Sequence, residues 1–214
     1  MNFMPGSYRL STGGEIDRQT PVNFSFNGKT LQGFAGDSLA SALLANRISV
    51  LSRSFKYHRP RGIFTAGEEE PNALLEIGEG ARREPSCRAP TVPLTEGLVA
   101  RSQNCWPSVD FDAGRVIDYS HALWPAGFYN KTFKWPNWHW WEGIIRHTAG
   151  LGRALTEADP DRYEQVNAHC DVLIIGAGPS GLLAALVAGR AGLRVMLVDQ
   201  GEDLGGVLNW EPYQ

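Results

Sequence analysis

Alternation of apolar and polar residues is sharpest over residues 22–31, where Val-Asn-Phe-Ser-Phe runs into Asn27-Gly28 and out through Lys-Thr-Leu. An Asn-Gly pair between two alternating runs predicts a two-residue β-hairpin, because both turn residues must take positive φ. The spacing then becomes helical over residues 36–45. Leu39, Ala42, Leu43 and Leu44 share a face, and either Asp37 or Ser38 can cap the first turn. A hairpin followed at once by a helix is how a β-grasp, ferredoxin-like domain begins. Two more strands are expected, over residues 71–77 and 91–100. The second belongs at an edge, because Pro93 has no N–H for a ladder.

Residues 106–141 change character, with Trp106, Trp124, Trp135, Trp138, Trp140 and Trp141 among prolines and few aliphatics. Little regular structure is expected there until a helix begins near Trp141. The aromatic cluster could stack on a ring cofactor or form a domain or subunit interface, and the second is the commoner use of such residues. His139 and His147 lie nearby without the spacing of a metal site. A polar connector over residues 159–169 leads to the last segment. The pattern divides the chain into an N-terminal arm (1–20), a β-grasp domain (21–105), a Trp-rich connecting segment (106–168) and the start of a second domain (169–214).

That second domain opens on Val172-Leu-Ile-Ile175, a continuous apolar run of the kind parallel strands buried on both faces require. Gly176, Gly178 and Gly181 follow at G-x-G-x-x-G spacing, then a Leu- and Ala-rich helix over 180–191, Gly192 as its stop, and a second strand ending at Asp199. The expected architecture is the opening of a doubly wound, Rossmann-like α/β domain. Gly176 would permit the tight turn, Gly178 the close approach of a diphosphate, and Gly181 the packing of helix on strand, with the helix N-terminus facing the phosphates. Asp199 stands roughly 20 residues beyond the first glycine, where a carboxylate can accept hydrogen bonds from an adenosine ribose and repel a 2′-phosphate. NAD or FAD is therefore expected over NADP. A doubly wound turn with no ligand is the plainer reading, but strand, glycines, helix, strand and acid all coincide here. Gly205-Gly206-Val207 is either a flexible loop or a turn that brings backbone amides to the cofactor.

With 214 residues, 43% hydrophobic and 20% charged, the chain can hold one large or two small globular domains. A net charge of −3 and the absence of a dense Lys/Arg block argue against nucleic acid or an anionic membrane as partner. No apolar run is long enough to span a bilayer and the N-terminus lacks a secretory layout, so a cytoplasmic location is the default expectation. Three widely spaced cysteines, Cys87, Cys105 and Cys170, support neither a disulfide framework nor a zinc site, and no metal ligand is assigned. The basic run Lys56, His58, Arg59 and Arg61 is either an anion or flavin-phosphate clamp, or a loop whose arginines pair with Glu68 to Glu70. No residue is assigned a catalytic role. A doubly wound domain needs a third parallel strand, and only about 15 residues follow Asp199. The chain is thus expected to be a fragment, inactive alone, with a marginally stable second domain.

Phe55-Lys-Tyr-His-Arg-Pro-Arg-Gly-Ile-Phe64, then Glu70-Pro-Asn-Ala-Leu74, resembles the signature of the heterotetrameric sarcosine oxidase α-subunit family. The resemblance covers nearly the whole chain: ferredoxin-like domain, Trp-rich crossing segment, dinucleotide fingerprint. It implies an oxidoreductase subunit that works with β, γ and δ subunits in the oxidative demethylation of sarcosine to glycine, with tetrahydrofolate as one-carbon acceptor. It further implies NAD bound by this subunit, and FAD and FMN elsewhere in the complex. Carried over residue by residue, the NAD contacts fall on Gly176, Gly178, Pro179, Ser180, Gly181, Asp199, Gln200, Gly206 and Val207, although family members often have an acid where Gln200 stands. Related opine and amine dehydrogenase subunits hold a [2Fe–2S] cluster on cysteines after the Arg-Pro-Arg-Gly run. This chain has Thr65-Ala-Gly-Glu-Glu-Glu-Pro71 there, and a cluster-free domain is expected because ligation needs four thiolates. Two alternatives stay open: an opine or amine dehydrogenase subunit with FAD on the same fingerprint, and a non-catalytic docking module.

Overall fold

A computed structural model describes residues 7–14, 16–123, 133–149, 152, 154–201 and 203–209. The chain divides into two compact units, Met1–Pro160 and Asp161–Gln214. The first is built on a mixed five-stranded sheet of order β2-β1-β7-β5-β6, where β1 is Asp17–Phe26, β2 Lys29–Ala35, β5 Leu74–Ile77, β6 Glu84–Arg88 and β7 Val99–Ser102. β1 and β7 run parallel, pairing Ser25 with Val99 and Phe26 with Ala100, while the other neighbours are antiparallel. The expected hairpin turns at Asn27 and Gly28, with φ of 50° and 79°, and pairs Phe26 with Lys29. Helix α1 (Leu39–Ala45) lays Leu39, Ala42 and Leu43 on the sheet, where Val22, Phe24, Phe26, Leu75 and Ala100 complete the core. Each large apolar side chain so buried contributes about 1.5–3 kcal/mol. Leu44 departs from the expected face and is exposed. Sheet, helix and pairing make this the β-grasp arrangement.

Several expectations need correction. The run over 91–100 is not one strand: residues Ala89–Thr91 form a 3-10 turn, Val92 and Leu94 are buried without a ladder, and β7 starts only at Val99. Prolines at 90 and 93 remove the N–H groups a continuous strand would use. β6 was not expected, and neither was the two-stranded pair β3 (Ser52–Arg53) with β4 (Pro60–Arg61). The arm, expected over 1–20, is shorter, since β1 begins at Asp17. Its residues 1–6 and 15 lie outside the described ones, but Ser7 and Arg9 are fastened to the domain's own α1. Ser7 Oγ donates to the Ala45 carbonyl (2.7 Å), and Arg9 meets the Asp37 carboxylate through Nη1 (2.9 Å) and Nη2 (2.5 Å). Ser38 is the N-cap, accepting from the Ser41 N–H. Asp37 is thereby left to bind Arg9, the Phe34 N–H and the Ser41 hydroxyl from a buried position.

Arg53 and His58 tie down the segment after the sheet. Arg53, 5% exposed, donates to the Val109 carbonyl through Nε (2.8 Å) and Nη2, and to the His58 carbonyl through Nη1 (3.2 Å). Beyond it come a short helix α2 (Val116–Tyr119) and α3 (Trp138–Ala149), the latter starting slightly earlier than expected. The segment up to Pro160 groups with the first unit, so the connecting segment is not separate from the β-grasp domain.

In the second unit, β8 (Val172–Ile175), α4 (Pro179–Arg190) and β9 (Val195–Val198) form a β-α-β arrangement with parallel register from Val172↔Val195 to Ile175↔Val198. Gly192, at φ +82°, follows the helix end as its turn residue. β8 is not buried on both faces: Leu173 and Ile175 are exposed, because the described residues supply one helix and two strands and no layer for the other face.

Substituting Asp37 with Ala strands the Arg9 guanidinium in a buried position and leaves the Phe34 N–H unsatisfied. The first unit should lose about 3–5 kcal/mol in denaturant unfolding, and the double variant with Arg9→Ala should lose less than the two single losses added. A loss in Asp37→Ala no larger than that of an exposed salt bridge would show that the arm does not depend on this pair.

Candidate functional site

The sequence-expected residues of the second unit converge at the C-terminal ends of β8 and β9. Gly176 leaves β8 at φ +99°, a conformation that L side chains rarely adopt. Gly181 sits on the first turn of α4, where an added Cβ would overlap the Gly176 carbonyl oxygen and lie 3.5 Å from the Ile174 side chain. Both glycines are required by the fold itself. Gly178 differs. It is the N-cap of α4 at φ −68°, ψ −178°, allowed for any residue, and an added Cβ would meet nothing within 4 Å. Pro179 occupies the first helical position, which needs no N–H, and no side chain caps the helix. The first-turn N–H groups of Ser180 and Gly181 and the positive end of the helix dipole are thus presented beside open space.

Asp199 has a role the sequence did not disclose. Its Oδ2 accepts the Ala177 N–H at 2.5 Å and its Oδ1 the Gly201 N–H at 2.8 Å. The carboxylate therefore stitches the glycine turn to the end of β9. The Ala177 N–H, followed by the Gly201 N–H, holds it below the usual carboxylate range. The Gly205-Gly206 pair is part of the same construction. The Gly205 N–H donates to the Ala177 carbonyl (2.9 Å), and a Cβ on Gly206 would come within 3.1 Å of Gly178 Cα. Val207 follows, half exposed, in the 3-10 turn Gly206–Asn209, and Gln200 lies directly after Asp199.

Of the basic run of the first unit only His58 is buried, Lys56 is half-buried, and Arg59 and Arg61 are exposed. His58 Nδ1 lies 2.6 Å from Asp112 Oδ2, and Asp112 Oδ1 accepts the N–H groups of Trp106 (3.0 Å) and Gly114 (3.2 Å). His58 Nε2 is buried without a hydrogen-bond partner. Arg59 pairs with Asp118 and lies over the Tyr57 ring, as does Lys56. The expected pairing with Glu68 to Glu70 is corrected: Glu68 pairs with Arg88, and Glu70 binds backbone. Of the tryptophans, Trp124 lies outside the described residues. Trp140 and Trp141 meet edge to face at 4.9 Å, while Trp106, Trp135, Trp138 and Trp140 are exposed. His139 faces Glu142 at 3.7 Å. His147 lies with Arg83, Arg146 and Glu76 along a polar groove of about 260 Å³. Among the described residues no helix is long and apolar enough to cross a membrane.

Comparison with known proteins agrees with this division. The family described as "2Fe-2S iron-sulfur cluster binding domain" matches residues 19–105, and that described as "FAD dependent oxidoreductase" matches residues 171–211. The sarcosine oxidase α subunit of Rhizobium meliloti (strain 1021) is 58% identical over 94% of this chain. Its namesakes from Corynebacterium sp. strains U-96 and P-1 are 34% and 35% identical over 92% and 94% of it. The chain is homologous to sarcosine oxidase α subunits. It spans 21%, 16% and 17% of the length of these three relatives.

The two cofactors named by the family descriptions meet different fates when set against the residues present. A ferredoxin-type [2Fe–2S] centre needs four thiolates and a Rieske centre two thiolates with two imidazoles, whereas residues 19–105 contain one histidine, His58. Residues 19–105 carry Cys87 and Cys105 alone, and burial pushes the Cys87 thiol up to about 12 and raises that of Cys105. These residues do not fit the cluster. The dinucleotide is a better match, because the uncapped α4 terminus, the open face of Gly178 and the acid after β9 are the parts such a group uses. Placing Ala at Gly181 should force α4 off β8, with a loss of about 1–3 kcal/mol read as faster amide exchange across 172–175. Unchanged exchange there would show that the helix does not rest on this contact.

Proposed function

We propose that the second unit binds the adenosine diphosphate half of an adenine dinucleotide, and that the chain acts as part of the α subunit of a multi-subunit sarcosine oxidase. One observation carries the first half of this reading: Gly178 is a glycine the fold itself does not need, placed over open space at an uncapped helix N-terminus. Its missing side chain serves something outside the chain. The diphosphate would lie on the Ser180 and Gly181 N–H groups beside Gly178 and Pro179. The adenosine ribose would meet Asp199, with Gln200 alongside, and Gly206 and Val207 would close the far side.

NAD is the dinucleotide that the family resemblance implies, and the charge on Asp199 disfavours a 2′-phosphate. FAD is the second reading, supported by the match of residues 171–211 to FAD-dependent oxidoreductases. In the complete enzyme, sarcosine would lose hydride and proton in a flavin-dependent step on another subunit. The reduced flavin would give its two electrons to dioxygen, forming hydrogen peroxide, and addition of water to the imine would release glycine and a one-carbon unit passed to tetrahydrofolate. This chain's own residues would bind and orient the nucleotide and dock β, γ and δ subunits, the exposed tryptophans of α3 offering an aromatic surface for contact. Such an assembly would reside in the cytoplasm.

Calorimetric titration of the chain with NAD and with FAD tests the assignment. Gly178→Ala should leave the unfolding profile unchanged yet weaken nucleotide binding at least about tenfold, equivalent to about 1.4 kcal/mol. Protein that purifies yellow and releases FAD on denaturation would favour the second reading. Failure to bind either nucleotide, with retained association to the other subunits, would leave a docking module and overturn the proposal.

A further inference from the structure

Glu70 is the one large side chain fully buried within residues 62–73, a stretch without regular structure between β4 and β5. Its neighbours Glu68 and Glu69 are exposed. Among the described contacts its carboxylate meets no cation. It meets four backbone donors: Oε2 accepts the N–H groups of Phe64 and Thr65, both at 2.7 Å, and Oε1 those of Asn72 (2.7 Å) and Ala73 (3.0 Å). Burial by itself would raise this acid, but the four donors outweigh it and leave Glu70 below its ordinary value. Phe64 shows how fully the loop depends on this centre: its side chain points to solvent while its N–H points inward.

Backbone N–H groups converging on one point form an anion-binding nest, and iron–sulfur sites are among the places such nests occur. The domain around this nest matches a cluster-binding family but lacks the thiolates. We propose that Glu70 fills the nest from within, so that a carboxylate takes over the structural work of an anionic cluster and locks residues 62–73 without metal. The lock is a consequence of charge as well as shape. A carboxylate offers acceptor lone pairs on both oxygens, whereas an amide of the same size turns an NH2 toward two N–H donors.

Amide exchange on the full chain tests this, together with iron and sulfide analysis after anaerobic reconstitution. The wild type should take up no stoichiometric iron or sulfide, and the amides of Phe64, Thr65, Asn72 and Ala73 should exchange at least about tenfold more slowly than those of Glu68 and Glu69. In Glu70→Gln the four should lose that protection together while the β1–β2 amides keep theirs. Loss of the whole fold in Glu70→Gln, with the metal-free wild type protected, also upholds the lock. A reconstituted wild type that holds a stable cluster overturns the proposal. So do four amides that exchange as fast as the loop tip in the wild type, or stay protected in Glu70→Gln.

Discussion

Backbone N–H groups in irregular segments need acceptors, and here that constraint is met by carboxylates. Four of the junctions that are neither helix nor ladder are each organised around one acid. Asp37 takes the Phe34 N–H at the turn from β2 into α1, and Glu70 takes four N–H groups between β4 and β5. Asp112 takes two in the segment after β7, and Asp199 two across the nucleotide turn. A buried donor left unsatisfied costs about 1–3 kcal/mol, so the buried acids Asp37, Glu70 and Asp112 do more for their loops than a surface ion pair would. The regular elements stand on apolar burial. Four of the connections between them stand on these side chains.

The acids differ in how their charge is balanced. Asp37 is matched by the Arg9 guanidinium, which also lies 5.2 Å over the Phe34 ring, so the arm is bound by charge and by an aromatic face. Asp112 is hydrogen-bonded to the buried His58 ring, which packs so closely on Gly114 that a Cβ there would fall 2.5 Å from Nδ1. Glu70 relies on amide dipoles alone. Asp199 is solvent-accessible and needs no counter-charge. Removal of one partner is therefore costly at the first two, because a buried group would be stranded.

What could be read from the residues alone was what depends on short range. Asn27-Gly28 specified its hairpin, the spacing of Leu39, Ala42 and Leu43 specified α1, and the order of strand, glycines and helix specified the second unit. The ion pairs of Asp37 and Asp112 were opaque because those partners are distant in sequence: 28 residues separate Arg9 from Asp37, and 54 separate His58 from Asp112. The run over 91–98 misled for the opposite reason. Its apolar spacing was real and Val92 and Leu94 are buried, but with prolines at 90 and 93 its pairing is limited to one isolated bridge, Pro93 opposite Ser38. At the fingerprint, the glycines were legible as a set but not as individuals. Only the coordinates separate Gly176 and Gly181, which the backbone requires, from Gly178, which it does not.

That separation bears on how the proposed nucleotide site would be formed before any nucleotide arrives. The Ala177 N–H is held by Asp199 and the Ala177 carbonyl by the Gly205 N–H, so the turn between β8 and α4 is fixed on both sides by its own chain. Fixing it costs binding nothing, since the order is supplied during folding. The Asp199 carboxylate offers about four acceptor positions, and its backbone partners Ala177, Gly201 and Gln200 leave capacity over. Ribose hydroxyls could therefore be received without undoing the stitch, and the acid that would recognise the sugar is the same group that shapes the turn for the phosphates. Loss of Asp199 would consequently remove two things at once. It would take away a ribose contact and loosen the phosphate cradle, whereas loss of Gly178 would touch only the approach of the ligand.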